Sequence, residues 1–451
     1  MTRVLASAAV LAATLAPAGT AFPAHADSAH ADRSLYTTYT TKTPYAPQER
    51  LADYQPVPKD FTPVFTENVA RHGSRAMSDS SDGDAVLTVL GSARDHNALT
   101  DLGKRLGPQV ESLLTAGSSI GYGNLAGLGA QEQRQTALRM QRRLPSLFAD
   151  ITAKGEPIEV ETSGVARVVA SANAFTAGLT AGDPALAPLI RAPVTNKDLL
   201  YFHKQPQNAD YQAYLANDPQ LTAVLAEIDG GPATAKAAGD VASRLFTPAF
   251  TAAMSTDDRI SFSRSLYELR SAAPDLRVEA PDVDLGSFLP PRDAEWFAYL
   301  DDAEEFYQKG PAFRGRTITY KMAGVLLDDL FAQVKAKADG TSDKGAVLRF
   351  THAEEIEPLA VLLGLPGSTK GADTEDPYTY RNNPWRGAEA APMGANIQWD
   401  LYARTTLQGT RYLVRMLYNE KETAFKPSCR PIGRGSYFYD LDELERCFEQ
   451  G

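Results

Sequence analysis

Three short apolar runs in this chain end in the same way, at a polar junction that a helix or a loop follows. The runs span residues 61–70, 157–162 and 346–351, and they end at Arg71-His72-Gly73-Ser74-Arg75, Ser163-Gly164 and His352-Ala353-Glu354. Apolar runs of this length, bounded by polar turn residues and followed by helical periodicity, predict the strands of an α/β fold. The carboxyl ends of such strands gather at one edge of an open sheet, where ligands bind. We therefore expect the three junctions to form one shared site.

The stretch between the second and third runs has a different composition. Residues 199–315 are rich in alanine and helical in pattern, most clearly over residues 233–254. We interpret this stretch as a helical cap domain inserted into an α/β core of residues 40–198 and 316–451. After a loop rich in turn formers at residues 364–394, the pattern of residues 396–419 predicts a helix.

The N-terminal segment indicates export. Arg3 precedes an apolar stretch of twelve residues, and Ala24-His25-Ala26 matches a signal-peptidase site, so residues 1–26 are predicted to be a signal peptide. The same pattern recurs at residues 29–31, which leaves cleavage after residue 31 open. A membrane anchor needs about 20 apolar residues, and no other run approaches that length. We expect a secreted protein without a membrane anchor.

The charge balance and the cysteine count exclude several classes of function. Lysine and arginine number 45 against 56 aspartates and glutamates, which gives a net charge of −11. This balance argues against a nucleic-acid partner, so an anionic ligand requires a local basic pocket. In an exported chain, Cys429 and Cys447 predict a disulfide. No metal site is expected, because two thiols without a nearby histidine cannot complete a zinc shell.

The junction at residues 71–75 has the composition that phosphoryl transfer requires. A neutral imidazole at His72 can attack phosphorus and form a phosphohistidine. Arg71 and Arg75 can bind the non-bridging oxygens and neutralise the charge that opposes attack. Gly73 leaves room where the backbone must pack closely. The alternative is a loop with solvated arginines and a histidine whose hydrogen bonds are satisfied in the core.

The pentad at residues 71–75 and the triplet at residues 352–354 together resemble the histidine acid phosphatases. In most of that family an aspartate follows the second histidine, but here Ala353 stands in its place. The H-A-E sequence is similar to that of the multiple inositol polyphosphate phosphatase branch, whose glutamate is the proton donor. The resemblance implies a histidine phosphatase core with a mixed, mostly parallel sheet flanked by helices, plus the cap domain. It assigns the acid role to Glu354, whereas a glutamate that only complements the helix dipole would better suit Glu355 or Glu357.

Weaker matches extend the resemblance over most of the chain. Residues 162–175 resemble the family's second arginine motif, which makes Arg167 a third phosphate ligand rather than part of a solvated helix face. His352 is expected to bind the same phosphoryl group. His203, in a stretch that resembles the entry to the cap, can either reach substrate phosphates or lie on the surface. The arginines of residues 131–143 are expected to form a solvated helix face rather than a substrate platform.

The resemblance implies an exported enzyme that hydrolyses inositol hexakisphosphate and lower inositol phosphates without a cofactor. One alternative is a secreted acid phosphatase of broad specificity, acting on sugar phosphates or other small esters. Another is a non-catalytic protein that binds a phosphorylated ligand. The sequence makes no prediction of the oligomeric state.

Overall fold

The computed structural model describes residues 37–449, and the predicted signal peptide lies outside the described residues. Within this range the strands form one twisted sheet. The strands are β1 (Thr62–Arg71), β2 (Ile158–Thr162), β3 (Val194–Thr195), β4 (Ala346–Thr351), β5 (Asn396–Thr406), β6 (Gly409–Tyr418), β7 (Lys421–Thr423) and β8 (Phe438–Asp440).

The sheet is mixed, and its parallel part carries the three polar junctions. The strand order is β3-β2-β4-β1-β5-β6-β7, with β8 paired to β6. Strands β3, β2, β4 and β1 run parallel to one another, whereas β5 is antiparallel to β1. This arrangement, with helices packed against the sheet, confirms the predicted α/β fold.

Helices cover both faces of the sheet. Successive strand residues point to opposite faces, and here both faces carry apolar side chains that the helices bury. Leu348 and Phe350 of β4 join one apolar cluster, and Val347 joins the other. The α-helices are α1 (Ser81–Asp95), α2 (Gly103–Ile120), α3 (Gly127–Arg143), α4 (Pro145–Lys154), α5 (Ala166–Gly182), α6 (Lys197–Leu200), α7 (Ala209–Asn217), α8 (Pro219–Asp229), α9 (Pro232–Leu245), α10 (Pro248–Ala253), α11 (Thr256–Ala272), α12 (Pro291–Gln308), α13 (Gly324–Ala338), α14 (Ala353–Leu362), α15 (Gly387–Ala390) and α16 (Leu441–Glu449).

The chain between β3 and β4 is helical, as its composition predicts. Helices α6 to α13 follow one another there without a strand. Buried side chains of this stretch, such as Leu266 and Phe297, belong to the same apolar cluster as Val69 and Val347 of the sheet. The helices therefore pack onto the sheet through a continuous core. A division into separate domains at residues 199 and 315 stays a prediction.

The helix predicted over residues 396–419 is wrong. These residues form the antiparallel hairpin β5–β6, with Thr406 paired to Gly409 across a two-residue turn. The first seven residues of β5 and the last six of β6 are buried, so neither strand shows the alternation of apolar and polar residues that marks a half-exposed strand. In sequence, a continuously buried strand resembles a buried helix. Gly409, which follows the turn, is the local signal that favours a hairpin.

Near the C-terminus, Cys429 and Cys447 are joined by a disulfide, with their Cα atoms 5.2 Å apart. The bond links the loop after β7 to α16. It therefore ties the last helix to the edge of the sheet.

Candidate active site

The three junctions lie side by side at one edge of the sheet. The register of the parallel strands aligns Arg71 with Thr351 and Thr162 with Phe350. The residues that follow these strand ends are consequently neighbours. The ring centroids of His72 and His352 are 5.5 Å apart in an edge-to-face arrangement.

The loop after β1 is held by close backbone packing and by a buried carboxylate. A Cβ atom on Gly73 would lie 2.5 Å from the carbonyl oxygen of Gly129 in α3, so only glycine fits at this position. The backbone N–H of Ser74 donates a hydrogen bond of 2.8 Å to Glu132 of the same helix. Helix α3 thus fixes the loop from behind. In the sequence, Gly73 of the pentad is the one residue that indicated this packing of the loop against α3.

The hydrogen bonding of His72 defines which ring nitrogen carries its proton. Its Nδ1 lies 2.9 Å from the carbonyl oxygen of Gly73. A carbonyl can only accept, so Nδ1 carries the proton and Nε2 keeps its lone pair. Burial, followed by the charges of Arg71 and Arg167, lowers the pKa of His72 well below its ordinary value. The ring is therefore neutral, as a nucleophile requires.

Three guanidinium groups concentrate positive charge around this imidazole. Arg71 donates through Nη1 to the carbonyl oxygens of Thr41, at 2.6 Å, and Ala391. The Nε atoms of Arg71, Arg75 and Arg167 are all buried without a hydrogen-bond partner among the described residues. Burial and the like charges of Arg167 and Arg71 lower the pKa of Arg75 to about 10. An anion bound here would relieve this repulsion.

His352 connects the second and third junctions. Arg167 donates through Nη2 to His352 Nδ1 at 3.2 Å, so the remaining ring proton lies on Nε2. Nε2 in turn donates to the hydroxyl of Ser163 at 3.0 Å. Burial lowers the pKa of His352 to about 3, which leaves the ring neutral. His352 therefore holds the Arg167 side chain close to His72.

Of the three glutamates that begin α14, only Glu354 is accessible. Its side chain is 31% exposed, whereas Glu355 is 0% exposed and Glu357 is 1% exposed. Both carboxyl oxygens of Glu357 lack a hydrogen-bond partner among residues 37–449. Burial and the neighbouring Glu305 raise the pKa of Glu357 well above its ordinary value, which keeps it neutral. Glu354 is thus the acidic group of this helix that a ligand can reach.

Lys309, which directly follows α12, controls the charge of Glu354. Its ammonium lies 2.8 Å from Glu305 and 3.5 Å from Glu354 Oε1. Burial raises the pKa of Glu354, but the neighbouring Lys309 ammonium outweighs that effect and holds the pKa well below its ordinary value. Glu354 is therefore ionised while no anion is bound.

A second buried pair flanks His352. His203 Nδ1 lies 2.6 Å from Glu355 Oε1, and Thr351 Oγ1 lies 2.8 Å from Glu355 Oε2. Tyr201 contacts both imidazoles edge-on or at a tilt, with centroid distances of 4.7 Å to His203 and 5.2 Å to His352. His203 is 4% exposed, so the open alternative of a surface position is wrong.

The structure brings together Arg71, His72, Arg75, Arg167, His203, His352 and Glu354, every candidate site residue named above. The solvated face expected for residues 131–143 is wrong at two positions. Arg139 pairs with Glu420 at 2.7 Å, and Arg143 pairs with Asp400 at 3.0 Å with its own side chain 2% exposed. Their partners lie far away in sequence, so helical periodicity held no signal for them.

Sequence reasoning also missed Lys309 and Glu132, which no motif marks. Residues 37–449 contain no cluster of three or more histidine, cysteine, aspartate or glutamate side chains arranged to hold a metal ion. None of the helices in this range is both long and apolar enough to cross a membrane.

Comparison with known proteins identifies the family. The profile of the histidine phosphatase superfamily (branch 2) matches residues 64–419. Human multiple inositol polyphosphate phosphatase 1 is 25% identical over an alignment of 457 positions, which covers 92% of this chain and 88% of the human protein. Bifidobacterium longum multiple inositol polyphosphate phosphatase in complex with inositol hexasulfate superposes with a TM-score of 0.83 at 31% identity, covering 91% of this chain and 97% of that one.

Two further crystal structures extend the comparison. The phosphate complex of the B. longum protein superposes with a TM-score of 0.85 over the same shares of the two chains. The phytase from D. castellii shares the fold, with a TM-score of 0.62 at 15% identity. The superposition covers 92% of this chain and 85% of the phytase chain. Because the profile spans most of the sequence and the B. longum protein aligns over nearly all of it, the chain belongs to the histidine phosphatase superfamily, branch 2.

Proposed function

We propose that this protein is an exported phosphomonoesterase that hydrolyses inositol hexakisphosphate and lower inositol phosphates through a phosphohistidine on His72. The observation that carries the proposal is the neutral His72 imidazole, with Nδ1 bonded to Gly73 and three guanidinium groups around it. The similarity to phosphatases named for inositol polyphosphates supports the substrate class. The complexes of the B. longum relative with inositol hexasulfate and with phosphate support a polyanionic ligand.

In the first half of the reaction, His72 Nε2 attacks phosphorus and the bond between phosphorus and the inositol oxygen breaks. Glu354 gives its proton to the departing oxygen, which leaves as an alcohol. In the second half, water attacks the phosphohistidine while the Glu354 carboxylate takes up a proton from that water. The phosphorus–nitrogen bond breaks, and His72 and the protonated Glu354 are restored together with inorganic phosphate.

Charge on the transferring group is held by Arg71, Arg75 and Arg167, whereas His352, expected from the sequence to bind the same group, positions Arg167. The three guanidinium groups surround His72, and His352 keeps Arg167 beside it through the 3.2 Å hydrogen bond. Catalysis of phosphoryl transfer is mainly positioning and electrostatic stabilisation, so preorganised arginines serve here. The proposal therefore includes no cofactor and no metal ion.

The proton on Glu354 arrives with the substrate. Lys309 holds the pKa of Glu354 well below its ordinary value in the free site. A phosphate dianion beside Glu354 disfavours a second negative charge and competes for the Lys309 ammonium. Both effects raise the pKa of Glu354 when substrate binds. Glu354 is therefore protonated only in the enzyme–substrate complex, where the departing oxygen needs the proton.

The helical segment of residues 199–315, proposed as a cap domain on the core of residues 40–198 and 316–451, contributes one imidazole and one ammonium group. His203 is held by Glu355 at 2.6 Å, and Lys309 lies 3.5 Å from Glu354. We assign both to the phosphate groups that surround the scissile one. A substrate with several phosphates can contact more of these groups than a simple ester can.

Export rests on the sequence of residues 1–26 and on the disulfide. Disulfides persist in oxidising compartments and are rare in the cytosol. We therefore place the enzyme outside the cell, where it acts on a dissolved small molecule without a membrane anchor or a nucleic acid.

The test is product analysis after incubation with inositol hexakisphosphate, with glucose 6-phosphate and p-nitrophenyl phosphate in parallel. The proposal predicts stepwise release of inorganic phosphate and the appearance of lower inositol phosphates. Efficient cleavage of the simple esters with an intact hexakisphosphate would support a broad acid phosphatase instead. Binding of inositol hexakisphosphate without turnover of any ester would identify a phospholigand-binding protein.

A further inference from the structure

A single serine hydroxyl lies between two buried carboxyl groups directly behind the His72 loop. The Oγ atom of Ser74 is 2.9 Å from Glu132 Oε1 and 2.9 Å from Asp275 Oδ1. Ser74 is 0% exposed, Asp275 is 1% exposed and Glu132 is 7% exposed. Ser74 stands between Gly73 and Arg75, so whatever fixes its side chain also fixes the backbone that carries His72.

The number of protons in this group determines its charge. A hydroxyl has one proton to donate, so Ser74 can donate to one carboxylate and not to both. The second oxygen–oxygen contact at 2.9 Å needs a proton from the other carboxyl group. One of the two acids must therefore be neutral.

The hydrogen-bond partners show which acid holds the proton. Glu132 accepts backbone N–H groups from Ser74 and Tyr45, each at 2.8 Å, and such donors stabilise the ionised form. Asp275 has Ser74 as its hydrogen-bond partner among the described side chains. The proton consequently lies on Asp275, which donates to Ser74, and Ser74 donates to Glu132.

The charged surroundings agree with this assignment. Asp275 faces Glu132 of α3 and, at longer range, Arg75 and Arg71 of the loop, while Arg277 acts on Glu132. Burial and then Glu132 raise the pKa of Asp275 well above its ordinary value, and burial raises the pKa of Glu132 to about 7. Asp275 also lines a cavity of about 130 Å³. The walls of this cavity include the charged side chains of Lys42, Arg75, Asp79, Asp82 and Glu268.

We propose that Asp275 is a positioning residue. As a neutral acid it donates a hydrogen bond to Ser74 and so fixes the loop that holds His72 and Arg75. When Asp275 loses its proton at higher pH, two carboxylates share one hydroxyl, and the hydrogen bonding that fixes the loop weakens. The loop then presents the nucleophile less accurately. The inference rests on the proposed phosphatase function, because activity is its first readout.

The test compares Asp275→Asn with Asp275→Leu across pH, using p-nitrophenyl phosphate because its leaving group needs little help from an acid. The side-chain amide introduced by Asp275→Asn donates to Ser74 at every pH, so this variant should match the parent at acid pH. One pH unit above the parent's alkaline midpoint it should exceed the parent's kcat about tenfold. The leucine variant lacks a donor, so its kcat should be at least tenfold below that of the asparagine variant at all pH values, with a smaller change in KM.

Two results would overturn the inference: an alkaline midpoint in the asparagine variant equal to the parent's, or a leucine variant as active as the asparagine variant. If the leucine variant does not fold, the pH profile of the asparagine variant decides alone. If the parent cleaves no phosphate ester, the proposed function is wrong, but the inference on Asp275 is still open to test. The inference is then decided by calorimetric binding of inorganic phosphate, which the asparagine variant should retain to higher pH than the parent.

Discussion

Replacing Lys309 by methionine should make Glu354 easier to protonate. The Lys309 ammonium is shared between Glu305 at 2.8 Å and Glu354 at 3.5 Å. Methionine keeps most of the length and apolar volume of the side chain but removes the charge. The free-site pKa of Glu354, which is held well below its ordinary value, should then rise.

The size of the shift follows from the distance and the exposure. At 3.5 Å, two unit charges attract each other by about 2 kcal/mol at an effective dielectric constant of about 40. The side chains of Lys309 and Glu354 are 16% and 31% exposed, so solvent and salt reduce this attraction to about 1 kcal/mol. One pKa unit corresponds to about 1.4 kcal/mol, and the expected rise is therefore just under one unit.

The assay is the pH profile of kcat/KM on an alkyl phosphate, because this ratio reports the pKa values of the free enzyme. The alkaline limb of Lys309→Met should move to higher pH by roughly one unit. Lys309→Arg keeps the charge and should leave the limb in place. Glu305→Gln removes the competing carboxylate, so it should move the limb the opposite way. An unchanged limb in Lys309→Met, or the same shift on p-nitrophenyl phosphate, would refute the control of Glu354 by Lys309.

Three further outcomes are expected. Glu354→Gln should slow cleavage of inositol phosphates by about 10²–10⁴ in single-turnover experiments but affect p-nitrophenyl phosphate far less, and equal losses would remove Glu354 from the acid role. Cys429→Ser should lower the free energy of unfolding by about 3 kcal/mol in chemical denaturation, and an unchanged value would mean that the disulfide adds no stability. Turnover should survive EDTA, and a complete loss restored by a divalent ion would contradict the metal-free mechanism.

The sequence was sufficient to predict the strand ends and the residues that meet there. Short apolar runs before polar junctions are a local signal, and parallel strands bring their carboxyl ends together irrespective of loop length. His72, Arg167 and His352 could therefore be grouped across nearly 300 positions of sequence. The two-part motif added Glu354, because the acid directly follows the second histidine and Ala353.

The features that the sequence did not reveal depend on tertiary contacts. Lys309 acts on Glu354 only because the end of α12 meets the start of α14. The Arg143–Asp400 ion pair joins a helix to a strand that was itself predicted as helix. Asp275 acquires its role from Ser74, which occupies the variable position of the pentad. Each of these three contacts depends on which side chains meet across the core, and the periodicity of a sequence does not predict such pairings.

The nucleophilic role of His72 can be measured directly. The enzyme is quenched rapidly during turnover without acid, and the peptide that contains His72 is analysed by mass spectrometry. Alkaline quenching preserves phosphohistidine. A phosphoryl adduct is expected on His72 with inositol hexakisphosphate and with p-nitrophenyl phosphate, and none in a folded, inactive His72→Ala variant. An adduct on another residue, or turnover of His72→Ala within about tenfold of the parent, would contradict it.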